Sequence, residues 1–394
     1  MTAPRARGPE AMRIRYLLLH AYGMGGTIRT VINQANAMAA AGHDVEIASV
    51  VRRRERPQFP IDERVRLLTL SDQRRARPVD SPARRAWRRI RGKIVPPGEF
   101  AASYFTERVE RSVIDYVSAL EGGVLVTTRP ALNLISARRG PAGVVRVGQE
   151  HMNLATHPEA VRAQIARHYG ALDTVAVLTG TDRREYQALL PGTPVVRIPN
   201  AVTAGRPAPD DREDGLVVAA GRLVGQKGFD LLIPAFGKVA ERHPEWRLRI
   251  YGTGPKKEAL RALLDTHGLS DVVTLMGRTE RLDEEMAKAS FYVLSSRFEG
   301  LPMVMIEAMS QALPVVAFDC PTGPADVLTP GVDGVLVPPR DVDALAEAMI
   351  RLIEDPGLRR RMGAAAAVTA REYAPDAIMP IWENLFSELL ERRR

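Results

Sequence analysis

A short apolar run, a glycine-bearing turn and a helix-spaced apolar stripe follow one another repeatedly along this chain, and that repetition confines it to a parallel α/β architecture. Residues 13–20 (RIRYLLLH) read as a buried strand, and residues 21–27 as a turn carrying Gly23, Gly25 and Gly26. Ile28, Val31, Ile32, Ala35, Met38 and Ala39 then recur at helical spacing before Gly42 closes the helix. Residues 45–51 (VEIASVV) supply the next strand. Strand, helix and strand joined by short loops make a right-handed βαβ unit. Further strands are predicted at 124–127, 144–147, 174–178 and 195–198.

Residues 199–214 break the pattern: they are rich in Pro and acids and have no periodicity, so they read as a linker. Beyond them the alternation restarts, with strands at 216–220, 247–251, 272–275, 291–294, 314–318 and 334–337 and helices at 229–243, 256–267 and 302–311. Two doubly wound halves are therefore expected, 12–199 and 200–376. A last helix, about 377–391, lies past the Tyr373-Ala374-Pro375 break and is expected to pack back on the first half. In open parallel sheets ligands lie beyond the carboxyl ends of the strands, where the strand order reverses. Two such sheets facing each other would hold a site in the cleft between them.

Composition narrows the setting. The 394 residues are 45% hydrophobic, enough for two cores. The single cysteine, Cys320, excludes a disulfide framework; with no histidine beside it, a small buried side chain is the expected role. No apolar run reaches the roughly 18 residues of a membrane span, and the polar residues 1–10 do not read as a signal peptide, so a cytoplasmic protein is expected. Charge is unevenly spread. Residues 52–93 hold 14 Arg and one Lys against five acids, an excess of ten that is larger than the +8 of the whole chain. Within this zone Trp87, Ile90 and Ile94 fall at helical spacing among Arg84, Arg85, Arg88, Arg89, Arg91 and Lys93. A solvated loop, a patch for an anionic acceptor and a peripheral contact with an anionic membrane face are the open readings. Nucleic acid is not expected, because no zinc-knuckle spacing, RNP-type motif or aromatic interleaving accompanies the basic residues.

Three loops at predicted strand ends carry chemistry. Gly23-Met-Gly-Gly26 allows backbone to approach an anion at a helix start, although Ile28 stands where a dinucleotide fingerprint has its third glycine. Gly221-Arg-Leu-Val-Gly-Gln-Lys-Gly228 offers Arg222 as a planar fork and Lys227 as a point charge for one phosphate group. Arg297-Phe-Glu-Gly-Leu-Pro-Met-Val-Met-Ile-Glu-Ala-Met309 places Glu299 before a helix start, with Pro302 in its first turn, and Glu307 inside that helix. The amides around Gly300, Leu301 and Pro302 suit an anion, and the two carboxylates suit hydroxyls. Taken singly, each loop also reads as ordinary exposed charge.

Together, the E-x7-E pattern, the preceding G-R-x5-K-G and the N-terminal G-G loop resemble the retaining glycosyltransferases of family 4, which have the GT-B fold of two Rossmann-like domains. The resemblance runs from about residue 13 to the final helix. It implies that Arg222 and Lys227 bind the donor diphosphate, Glu299 the transferred sugar and Glu307 the nucleotide ribose. Gly25 and Gly26 would line the sugar and phosphate side. Gln149-Glu-His-Met-Asn153 follows a predicted strand, and the resemblance gives His151 a place near the reacting sugar carbon; His43 and His243, at helix ends, are expected to have structural roles. The Asp319-Cys-Pro-Thr-Gly-Pro324 loop is similar to that of a subgroup using UDP donors, and Thr128-Arg-Pro130 is expected to shape the acceptor side.

The implied reaction moves a hexose or N-acetylhexosamine from a nucleoside-diphosphate sugar, a UDP-sugar first, to a hydroxyl of a glycan, lipid-linked or small-molecule acceptor. With no Cys/His spacing for zinc, neither a metal nor another cofactor is expected. A nucleotide-sugar epimerase or hydrolase of the same fold, and a non-enzymatic nucleotide-sugar binding protein, remain open alternatives.

Overall fold

The computed structural model describes residues 11–75, 93–203 and 215–393. The cluster from Arg84 to Arg91 and most of the predicted linker, 204–214, lie outside the described residues. The chain forms two compact units, Met1–Ile198 with Met379–Arg394, and Pro199–Ile378.

Unit 1 is built on seven parallel strands: β1 (Arg13–Leu18), β2 (Asp44–Arg52), β3 (Arg66–Asp72), β4 (Val124–Thr127), β5 (Val145–Gln149), β6 (Thr174–Val177) and β7 (Val195–Arg197). Their order is β3-β2-β1-β4-β5-β6-β7. Ile14 pairs with Val45 on one side and Val124 on the other, so β1 is central and its neighbours fan out in opposite directions. β4 and β6 are buried at every residue, as a parallel sheet covered by helices requires. Val109, Val113 and Val117 from helix Glu107–Ser118 join Leu132 and Ile135 from helix Pro130–Arg139 in the core. β3 has no sequence counterpart in the apolar-run reading. It is an edge strand with only half-buried and exposed positions, so it lacks the continuous apolar signature of the inner strands.

Unit 2 has six parallel strands: β8 (Leu216–Ala220), β9 (Arg247–Tyr251), β10 (Val273–Gly277), β11 (Phe291–Leu294), β12 (Val315–Phe318) and β13 (Gly334–Val337), in the order β10-β9-β8-β11-β12-β13. The helices expected at 229–243 and 256–267 form over Phe229–Arg242 and Lys257–Thr266. The one expected from residue 302 runs over Met303–Ser310, with Pro302 at the capping position rather than in the first turn. Two helices unmarked in the strand-based reading, Val342–Glu354 and Pro356–Arg371, start where Asp341 and Asp355 accept the amides of Ala344 and Leu358 at 2.9 and 2.7 Å. In each sheet the strand order reverses once, between β1 and β4 and between β8 and β11.

Helix Pro375–Glu391 contributes its later turns to unit 1. Trp382 and Phe386 are buried there with ring centroids 5.6 Å apart. Glu383 Oε1 lies 3.1 Å from His43 Nε2, whose Nδ1 accepts the Met12 amide at 3.3 Å. Arg393 forks onto Asp173 at 2.7 and 2.8 Å. No helix among the described residues is long and apolar enough to cross a membrane.

Because the Trp382 indole is enclosed, Trp382→Ala is expected to destabilise unit 1 by about 3–5 kcal/mol. Urea unfolding followed by far-UV circular dichroism measures this; an unchanged midpoint would mean that the helix does not hold the unit together.

Candidate functional site

Both reversal points carry polar side chains at the carboxyl ends of their strands. In unit 2 the loops leaving β8 and β11 are pressed together at Gly228, which has φ 65°; a Cβ there would lie 1.9 Å from the Ser295 carbonyl oxygen. The Ser295 hydroxyl donates to the Lys227 carbonyl at 2.9 Å, the Arg297 amide donates to Gln226 O at 2.8 Å, and Gln226 Nε2 donates to Phe298 O at 3.0 Å. Arg297 completes the clasp with a two-point contact to Asp230 at 2.8 and 2.7 Å.

This framework brings Lys227 Nζ to 2.5 Å from Glu299 Oε1, an oxygen that also accepts the Ser296 hydroxyl at 2.5 Å. The two side chains are only 16% and 6% exposed, so neither is an ordinary solvated loop charge. Glu299 Oε2 has no hydrogen-bond partner among the described residues. The 319–324 loop closes over the same place. Thr322 Oγ1 donates to the Glu299 carbonyl, and Gly323, at φ 105°, has no room for a Cβ against Gly300 O and Pro302 Cδ, both 2.9 Å away. Leu301 and Pro302 are buried, and the amides of Gly300 and Leu301 find no backbone acceptor among the described residues. Arg222 is exposed on the first of these loops, and Glu307 is half-buried on helix Met303–Ser310. Cys320 is buried as expected; burial, then the Glu299 charge, pushes its thiol up to about 12, far from a nucleophile's range.

In unit 1 a cavity of about 230 Å³ opens beyond the ends of β1, β4 and β5, lined among others by His20, Gly25, Gly26, Arg129, Glu150 and His151. Gly25 caps helix Gly26–Ala40, whose first amides face outward from the strand end. Both His151 ring nitrogens are shielded from solvent without a hydrogen-bond partner. Burial, then the nearby Arg129 guanidinium, pushes the imidazole down to about 4, so it is neutral at physiological pH. Arg129 Nε donates to Glu99 Oε1 at 2.9 Å.

The sequence reading passed over Glu150, yet it is the most perturbed carboxyl of this cavity. Its Oε1 accepts Tyr169 OH at 2.5 Å and Asn133 Nδ2 at 2.7 Å; its Oε2 is buried without a partner. Burial pushes Glu150 up to about 7 and His157 down to about 4. Their 4.0 Å approach is therefore a contact of neutral groups between about pH 4 and 7, not an ion pair. No local signal marks Glu150: the groups that enclose it come from 17 and 19 residues further along or back. Ser296 and Thr322 were passed over for the same reason, each acting through a partner set by the fold. Among the described residues no group of three or more His, Cys, Asp or Glu converges as metal ligands would.

The family model described as "Glycosyl transferases group 1" matches residues 206–369. An exopolysaccharide phosphotransferase of Streptomyces coelicolor is 36% identical over 97% of this chain, which spans only 41% of that relative's length. The alpha-D-kanosaminyltransferase of Streptomyces kanamyceticus is 31% identical over 63% of this chain and 71% of its own. In fold, the chain resembles a mutant of Staphylococcus aureus TarM crystallised with fondaparinux, alpha-GlcNAc-glycerol and UDP, with a TM-score of 0.75 at 16% identity over 95% of this chain and all of that one. The two parallel sheets are those of Rossmann-like domains of the GT-B type. With its matched family model and its related transferase, the chain belongs to the group 1 glycosyl transferases.

Proposed function

We propose that this chain transfers a hexose or N-acetylhexosamine from a nucleoside-diphosphate sugar, a UDP-sugar, to a hydroxyl of a glycan, lipid-linked or small-molecule acceptor, with retention at the anomeric carbon. The observation that carries the reading is the Lys227–Glu299 pair, held largely out of water where the strand order of unit 2 reverses. An ammonium has three donors and Glu299 takes one, which leaves two for phosphate oxygens. A carboxylate accepts only, and Glu299 keeps Oε2 for a sugar hydroxyl. Arg222 adds a second cation for the diphosphate, the amides of Gly300 and Leu301 beside Pro302 add donors, and Glu307 takes the ribose. In unit 1, neutral His151 is assigned to the transferred sugar, and Gly25 and Gly26 to the sugar and phosphate side.

In this reaction the bond from the anomeric carbon to the diphosphate oxygen breaks, and the acceptor oxygen bonds to the same face of that carbon. The acceptor proton passes to the departing phosphate. Negative charge grows on the leaving group while positive charge grows on the sugar, so fixed cations at the phosphate give the largest stabilisation. Because Arg222 and Lys227 fill the place a divalent ion takes elsewhere, the reaction is proposed to need no metal. UDP in the TarM complex accords with the choice of donor, as a likeness of fold only.

Lys227→Ala and Glu299→Gln are each expected to lower kcat/KM by on the order of 10²–10³. Lys227→Ala also strands a buried carboxylate, so it should melt earlier than Glu299→Gln, which keeps the size of the side chain. Near-normal turnover in both variants would remove the assignment. Transfer is further expected to survive EDTA; loss of activity restored by magnesium or manganese would refute the metal-free mechanism.

Glu150 gives a pH signature to the unit 1 cavity. Its folded pKa, about 7, lies above the usual value of 4.5, so its contribution to stability is complete below pH 4.5 and is lost as pH rises through 7. His151 and His157 act oppositely: lowered to about 4, they contribute fully above pH 6.5 and lose that contribution as pH falls through 4. Glu150→Gln mimics the protonated acid and removes only the first effect. Its melting temperature is expected to match wild type at pH 5 and to exceed it increasingly toward pH 8, by at most about 3 kcal/mol in stability. A difference that does not change with pH would show that Glu150 is ionised throughout.

A further inference from the structure

The basic zone is not uniform. Arg64, Arg66 and Arg74 are each neutralised, by Asp62 at 2.7 Å, by Glu46 at 2.9 Å, and by Asp72 and Glu55 at 2.7 and 2.6 Å. Arg53 and Arg54, just beyond β2, have no carboxylate within 4 Å among the described residues. Arg53 is nevertheless fixed. Its guanidinium lies 4.0 Å over the Tyr104 ring, and its Nε donates to Gln73 Oε1 at 3.0 Å, which leaves both terminal nitrogens without a hydrogen-bond partner among the described residues. Its neighbour Arg52 lies over the Tyr22 ring at 4.8 Å and donates to the carbonyls of Arg54 and Glu55, which sets the course of this turn.

This turn stands next to the unit 1 cavity. β2 pairs with β1, whose exit residue His20 lines that cavity, and the charges of Arg53 and Arg54 are felt at the His20 ring. An arginine held by an aromatic face and one hydrogen bond has already lost most of its freedom, so little more is lost when its fork meets an anion. Cations that served only solubility would be expected to be free or self-paired, as Arg64 and Arg74 are.

We infer that Arg53 and Arg54 form a binding ledge for a negatively charged acceptor, a glycan or polyol chain bearing phosphate or carboxylate groups, beside the unit 1 cavity. The inference rests on the reading of this chain as a glycosyltransferase and names the acceptor class for it. The guanidinium fork fits either oxyanion, and a chain with repeating charge would lie along the ledge with a hydroxyl at the cavity. Binding of this kind weakens with salt, since the ledge is open to solvent on one side.

The test measures binding of poly(glycerol phosphate), polyglucuronate and a neutral glucan of matched length to the full chain at 50 and 300 mM salt, with UDP binding measured in parallel. At low salt at least one anionic chain is expected to bind ten-fold or more tightly than the glucan. The double variant Arg53→Gln, Arg54→Gln should lose that preference and keep wild-type melting and UDP affinity. Arg64→Gln, which removes one paired charge, should leave that preference unchanged. Equal binding of all three chains, or an equal loss in Arg64→Gln, overturns the ledge. So does retention by vesicles of anionic lipid with no retention of the anionic chains. UDP binding without any anionic preference would sink the ledge alone; anionic preference without UDP binding would sink the UDP-sugar donor proposal and leave the ledge standing.

Discussion

A right-handed crossover carries a chain only one way across a parallel sheet, so a sheet that grows on both sides of its first strand must reverse its winding once. Every other feature of this protein hangs on that constraint. At the reversal the two outgoing loops diverge to opposite faces, and the strand ends between them are left uncovered. β1 and β4 in unit 1, and β8 and β11 in unit 2, are those strands. The residues assigned to chemistry sit on the segments that leave them: Gly25, Gly26 and Arg129 in one unit, Lys227 and Glu299 in the other.

What the two reversal points do with this opening differs. Unit 2 fills it with opposite charges, locked by the close approach of Gly228 to Ser295 and by the Arg297–Asp230 fork. Such a pair is expensive to desolvate, and it is retained where orientation matters more than stability. Unit 1 sets groups of high proton affinity or low basicity, Glu150 and His151, beside the Arg129 guanidinium. Tyr169 and Asn133 satisfy one oxygen of Glu150, and burial suppresses the charge on the rest of the cluster.

The strand ladder was legible in the sequence because inner parallel strands must be apolar throughout: 216–220 and 291–294 could hardly be anything else. Lys227, Glu299 and His151 were legible because they follow such strands within a few residues. β3 was not, since an edge strand in an arginine-rich stretch shows no apolar run. Neither were the helices from 342 to 371, whose boundaries are set by the Asp341 and Asp355 caps rather than by a strand-alternation signal. Glu150 and Ser296 stayed hidden for a deeper reason. Nothing in a carboxyl or hydroxyl at a strand end tells whether water or protein surrounds it; that is decided by residues brought in from elsewhere in the chain.

Cys320 belongs to the loop that carries Thr322 and Gly323, with its side chain almost wholly enclosed and its proton firmly held. A thiol in that state reacts with alkylating reagents only when the cover lifts and water reaches it. Since the chain has no second cysteine, any label that does attach must report this one event. The protein thus carries a built-in clock for the breathing of the loop over Glu299, one whose rate can be read without introducing a probe.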